Sequence, residues 1–196
     1  MDKKLEFELK IIRIHRIYIA CKENSNYSQY LLTWNNECEK EYITTSSHLR
    51  YISHSLWRIS IIEACKLVVK SRNNHFNLFH LIDFIEKNLL SYVTLNDIEK
   101  WRKTLMNAQK EISLLKQIRD KIYAHTDEST PLIQHIDRET LNSVLDATWI
   151  VIFEMASKIS GAHLSSGLPF FDGQILNIVE VLANERDNLI KKKYQK

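Results

Sequence analysis

Residues 95–125 read LNDIEKWRKTLMNAQKEISLLKQIRDKIYAH, and they carry the helical repeat on which the fold assignment turns. Leu105 and Ile112 stand seven apart, and Ala108, Leu115 and Ile122 repeat at the same interval three residues later. That is the two-position seam of a helix packed along one face. A strand would alternate its apolar residues instead. The spacing predicts one uninterrupted helix, the longest in the chain. Thr94 and Asp97 resemble a capping box in front of it, with Asp in place of Glu, and TDESTP at 126–131 supplies a stop. The next residue due on the first seam series is Arg119. A charge on a core stripe must find a partner or a ligand, because an unpaired buried charge is strongly destabilising.

Outward from this segment the same reading gives six more helices. The first spans about 3–22, with Leu5, Leu9, Ile12 and Ile19 on one face, and ends in KENSN. A second, about 27–43, carries Tyr30, Leu31, Trp34, Cys38 and Tyr42 as a packing surface. TTSS at 44–47 then stops it and caps a third helix of about 25 residues, whose Trp57, Ile61, Ala64, Cys65 and Val68 mark a central core element. A shorter helix is expected at 77–90. Asp137 caps another at 138–160, with Leu141, Val144, Leu145, Ile152 and Met155 buried and Gly161 closing it in the left-handed conformation. The last runs from about 173 to 192. Three glycines and two prolines in 196 residues leave little material for hairpins, and all three glycines fall in the loop at 161–173. The expected fold is all-α: one domain over residues 1–196, an up-and-down bundle of six or seven helices.

Composition narrows the function mainly by exclusion. A formal charge of +3 permits contact with phosphate without arguing for it. Cys21, Cys38 and Cys65 form no paired pattern, which argues against a disulfide framework or a zinc site and for a reducing, cytoplasmic setting. IIRIHRIYIAC at 11–21 is too short and too charged to span a bilayer. The eight histidines are not spaced to place two metal ligands on one helix face, and no phosphate-cradling glycine loop occurs, so neither metal nor cofactor is expected. Trp34, Trp57, Trp101 and Trp149 lie in separate helices, which favours core packing over a base-stacking platform. Lys191, Lys192 and Lys193 complement the carbonyl end of the last helix.

The segment RDKIYAH at 119–125 remains as the one place where chemistry is suggested. Arg119 and His125 lie roughly 120° apart on a straight helix and about two turns apart along it, flanking Ile122. An arginine and a histidine so placed both reach a phosphate over that seam. The pair suits metal-independent RNA cleavage, in which a base takes the 2′-hydroxyl proton and a cation stabilises the charge that develops on phosphorus-bound oxygen. Without chemistry, Asp120 simply forms a weak surface pair with Lys116, four residues before it.

RDKIYAH followed by Thr126 and Asp127, late in a long helix, resembles the motif of the HEPN superfamily: an arginine, a polar residue, and a histidine a few positions on. SLWRISIIEACKL at 55–67 resembles the upstream helix of its abortive-infection U-type branch. Together these cover roughly residues 45–160. The resemblance implies a homodimer whose motif helices face each other across a composite RNase site, with RNA as substrate and, in some branches, a nucleotidyltransferase antitoxin as partner. Under it Arg119 binds phosphate, Asp120 orients the arginine or the histidine, and His125 transfers the proton.

Two features separate the segment from toxin members of that superfamily. Five residues rather than four intervene between Arg119 and His125, and Asp127 stands where those members carry a tyrosine that the antitoxin modifies. Control by nucleotidylation is therefore not expected. Asp120 also replaces a frequent asparagine. The expected activity is a HEPN-type endoribonuclease serving as a toxin or phage-defence effector. The alternatives are an inactive HEPN-like module that binds a nucleotide, RNA or protein, and a structural dimerisation domain with Arg119 in an internal ion pair.

Overall fold

The computed structural model describes residues 2–71, 74–120, 137–167 and 177–194. Among them are eight α-helices and no strand: α1 Lys3–Tyr30, α2 Glu37–Thr45, α3 Ser47–Val68, α4 Leu78–Asn88, α5 Leu95–Asn107, α6 Gln109–Ile118, α7 Arg138–Ser160 and α8 Ile178–Tyr194. The all-α expectation is met. The count exceeds seven because the helix expected over 95–125 divides at Ala108, which ends α5 with φ −93° and ψ 14°. At 28 residues α1, not this segment, is the longest helix.

The chain forms two compact units, one of Met1–Cys21 with Ile61–Gly167, the other of Lys22–Ser60 with Leu168–Lys196. In the first, α5 lies against α4 and α7, and α6 against α7. Its core contribution from α1 is Phe7, Ile11, Ile14, Tyr18 and Cys21, all buried. These recur at four and three residues, the spacing of a seam. The expected face is therefore corrected: Leu5, Leu9 and Ile12 point outward, and only Ile19 of that set is buried. The helix is apolar on two sides, and periodicity alone does not say which side meets the core.

Local caps place the other elements. Thr94 and Asp97 complete a reciprocal capping box at the start of α5. Asn77 caps α4, accepting from the Phe79 N–H at 2.9 Å. Asp137 caps α7, Gly161 ends it at φ 66°, and Leu141, Val144, Leu145, Ile152 and Met155 are all buried, as their spacing predicts. Of the α3 residues expected in the core, Ile61, Ala64, Cys65 and Val68 are buried and Trp57 is half-buried.

In the second unit the expected boundaries shift. KENSN does not end α1, which continues to Tyr30, and α2 begins only at Glu37, so Tyr30, Trp34 and Tyr42 do not share one helix. Ser25 keeps a buried hydroxyl without a hydrogen-bond partner among the described residues, whereas polar residues beyond it are paired. Ser28 and Ser53 are both buried; the Ser28 hydroxyl donates to the Ser53 carbonyl at 2.8 Å, and the Ser53 hydroxyl to the Ser28 carbonyl at 2.7 Å. Buried Glu39 accepts from the Asn35 backbone and from the Asn36 side chain, while Asn36 caps α2. Ile43, Leu49 and Val179 form a small core here, with Tyr30, Leu31 and Tyr42 packed on it.

Candidate functional site

The buried stripe through α5 and α6 is Trp101, Leu105, Ala108, Ile112, Leu115 and Ile118. Its steps are four, three, four, three and three residues, so the core position after Leu115 falls to Ile118. Arg119 stands beside that position rather than on it, with 27% of its side chain exposed. It begins a π-type turn with Asp120 at the end of α6, a widening of the helix that often marks functional positions.

Asp120 holds the guanidinium from one edge. Its Oδ1 accepts from Arg119 Nε at 2.7 Å and lies 2.6 Å from an NH2-side nitrogen, so one oxygen spans two donors. Among the described residues Arg119 makes no other ion pair. The pair expected between Lys116 and Asp120 does not form. Lys116 is left exposed, one turn before Arg119, without an ion-pair partner among the described residues.

Behind this turn lies Cys65 of α3, which sequence reasoning treated only as core. Burial pushes its thiol up to about 12; the Arg119 charge pulls it down and the Asp120 charge pushes it up. Both charges therefore reach the buried face of α3, in the segment whose pattern resembled the upstream HEPN helix. An inward-facing thiol of this kind is inert at neutral pH. Its spacing with Ile61, Ala64 and Val68 was the only signal available, and it indicates burial rather than an arginine neighbour.

His125, Ile122 and Asp127 lie outside the described residues. No group of three or more His, Cys, Asp or Glu side chains able to hold a metal ion occurs among the described residues. Likewise, no helix there is long and apolar enough to cross a membrane.

An all-helical chain with an arginine and an acidic neighbour ending a core-packed helix, followed by the histidine of the sequence motif, meets a family match over residues 4–172, to the HEPN-type family AbiU2. The chain belongs to the AbiU2 branch of the HEPN proteins. The match extends well beyond the 45–160 expected from motifs and takes in α1 and α2, while α8 lies outside it. Membership in AbiU2 sets the chain among HEPN proteins of abortive infection. No curated protein and no solved structure matches the chain.

Proposed function

We propose that this AbiU2-family chain is a metal-independent endoribonuclease, acting in the cytoplasm as a toxin or abortive-infection effector and working as a homodimer. Arg119 and His125 serve as the phosphate-binding and proton-transfer residues, and Asp120 as the positioning residue. The observation that carries the reading is Arg119 itself: a half-buried arginine at a widened helix end, its guanidinium fixed by Asp120 along one edge. An arginine fixed in this way is pre-organised, and its remaining donors suit a phosphate in a planar, multidentate contact.

In the reaction a base takes the proton from the ribose 2′-hydroxyl. The 2′-oxygen then bonds to the adjacent phosphorus, and the bond to the 5′-oxygen of the next nucleotide breaks. The products are a 2′,3′-cyclic phosphate and a 5′-hydroxyl. Arg119 stabilises the negative charge on the non-bridging oxygens, and a protonated histidine supplies the leaving oxygen with its proton. A partner protein that restrains the activity belongs to the same reading, with no role for a tyrosine at position 127, which is aspartate.

The test is incubation of the purified chain with structured and single-stranded RNA in EDTA, comparing wild type with Arg119→Ala and His125→Ala. Cleavage by wild type alone is expected; equal cleavage in all three removes the site. The Arg119–Asp120 ion pair also favours a second reading, a silent HEPN module, because the carboxylate already neutralises the guanidinium. RNA binding without cleavage, lost in Arg119→Ala, would select that reading.

A further inference from the structure

A cleft of about 300 Å³ opens along α6 ahead of Arg119. Its lining combines apolar, cationic and neutral polar side chains. Val69, Phe79, Met106 and Ile112 supply apolar and aromatic surface, and Met106 is 62% exposed. Exposed Lys70 and Lys116 supply two ammonium groups. Apolar surface lined also by two cations suits a ligand with a flat apolar body and an anionic group. The volume lies at the lower end of the ~300–1,000 Å³ typical of small-ligand clefts, which limits the occupant to about one nucleotide.

Lys116 has no ion-pair partner among the described residues, and Lys70 is held only at long range. Lys70 Nζ lies 5.3 Å from the centre of the Phe79 ring and 4.0 Å from Asp83 Oδ2, while Asp83 Oδ1 takes a closer contact, 2.8 Å, from Arg102. Arg102 is itself shared with Glu86, at 2.6 Å, so Lys70 stays the long second partner of Asp83, a contact that a phosphate must displace. Lys116 makes no ion pair among the described residues, because Asp120 turns to Arg119. At the wall, Gln109 Nε2 donates to Ser113 Oγ at 3.2 Å, which leaves the amide oxygen and the hydroxyl proton for the edge of a base.

The position of the cleft relates it to Arg119. Gln109, Ile112, Ser113 and Lys116 recur along one face of α6. Arg119 follows Lys116 by three residues, about 60° round the axis and about 4.5 Å along it. That advance is comparable with the ~3.4 Å axial repeat per nucleotide of a stacked strand. Phosphates held at Lys116 and Arg119 would then be neighbours on one strand.

We infer that the cleft is a nucleotide subsite for single-stranded RNA: a base sits on Phe79 and Met106, its phosphate meets Lys116 and Lys70, and the adjoining phosphate lies at Arg119. The inference rests on the proposed role of Arg119 as the phosphate-binding residue. A single strand is specified because a base inside a duplex is not free to enter a side cleft.

The experiment measures binding of a fluorescein-labelled single-stranded RNA decamer in EDTA by anisotropy, in the His125→Ala background, with cleavage assayed separately in the wild-type background. Lys116→Glu, and Ser113→Phe to fill the cleft without a charge change, are compared with Lys110→Glu, an exposed α6 lysine that does not line it. The first two should weaken binding about tenfold, Lys116→Glu should lower the salt slope by about 0.7, and the control should do neither. Unchanged binding in the first two, an equal loss in Lys110→Glu, or no RNA binding at all overturns the subsite. Cleavage that depends on Arg119 while the cleft variants bind normally overturns the subsite and leaves the nuclease reading standing. Cleft-dependent binding with no cleavage supports the subsite and removes the nuclease. Adenosine 5′-monophosphate is the second probe: it should compete only far above the decamer concentration, and competition at equal concentration would assign the cleft to a free nucleotide and overturn the strand.

Discussion

Replacing Asp120 with asparagine should tighten RNA binding. Asparagine keeps the Oδ1 acceptor that spans the Nε and NH2 donors of Arg119, at 2.7 and 2.6 Å, so the guanidinium stays in place while the negative charge is removed. A phosphate on the opposite edge would sit roughly 7 Å from the carboxylate, a repulsion of about 0.6 kcal/mol at the dielectric of water and about 2.4 kcal/mol at an effective value of 20. Asp120 is 41% exposed, which favours the lower figure, and salt at physiological strength screens beyond a Debye length of about 8 Å. The Kd for a labelled single-stranded RNA should therefore fall about three- to tenfold in Asp120→Asn, measured by anisotropy with His125→Ala in both proteins. The dependence of log K on log salt should steepen by up to about 0.7, the share of one further phosphate contact with a single strand. Unchanged or weaker binding in a folded Asp120→Asn protein would refute the argument that this carboxylate competes with phosphate.

Glu154 holds the Nε1 proton of fully buried Trp101 at 2.9 Å, so Glu154→Ala should destabilise the fold by about 1–3 kcal/mol by leaving that donor unpaired, and Glu154→Gln by less. Equal urea midpoints for the two variants would refute this. At Asp97, the Thr94 backbone hydrogen bond, followed by the Lys158 side chain, lowers the carboxyl pKa from 3.8 to about 2. The folded form binds its proton less readily than the unfolded chain, so the stabilisation is complete above pH 3.8 and is lost as the pH falls through about 2. The stability gap between wild type and Asp97→Asn, followed by thermal melts, should close over that interval; a gap that stays constant would locate the effect elsewhere.

Elements that carry their own end signals were legible in the sequence. Asp137, Gly161 and the Thr94–Asp97 pair each form local hydrogen bonds or backbone conformations that need no distant partner, and α5 and α7 begin where these residues indicate. The KENSN segment misled for the opposite reason, since Ser28 just beyond it is satisfied by Ser53, 25 residues away. Tertiary hydrogen bonds of that kind cancel the usual tendency of serine to end a helix. At the candidate site, counting by sevens assumed an unbroken helix. The break at Ala108 left the register intact, with Leu105, Ala108, Ile112 and Leu115 all buried, and the shortened step from Leu115 to Ile118 moved the core position by one residue and set Arg119 at the edge of the stripe. Cleft-lining Lys70 and Phe79 lie on other elements than α6, and no spacing within one helix brings them to Lys116.

The Ser28–Ser53 exchange also has a consequence for helix alignment. Each hydroxyl donates to the other residue's carbonyl, so the two bonds are made or lost together. Sliding either helix by one residue turns its serine about 100° away and breaks both bonds at once. The pair thus acts as a detent: a small polar contact that penalises any slip between these two segments.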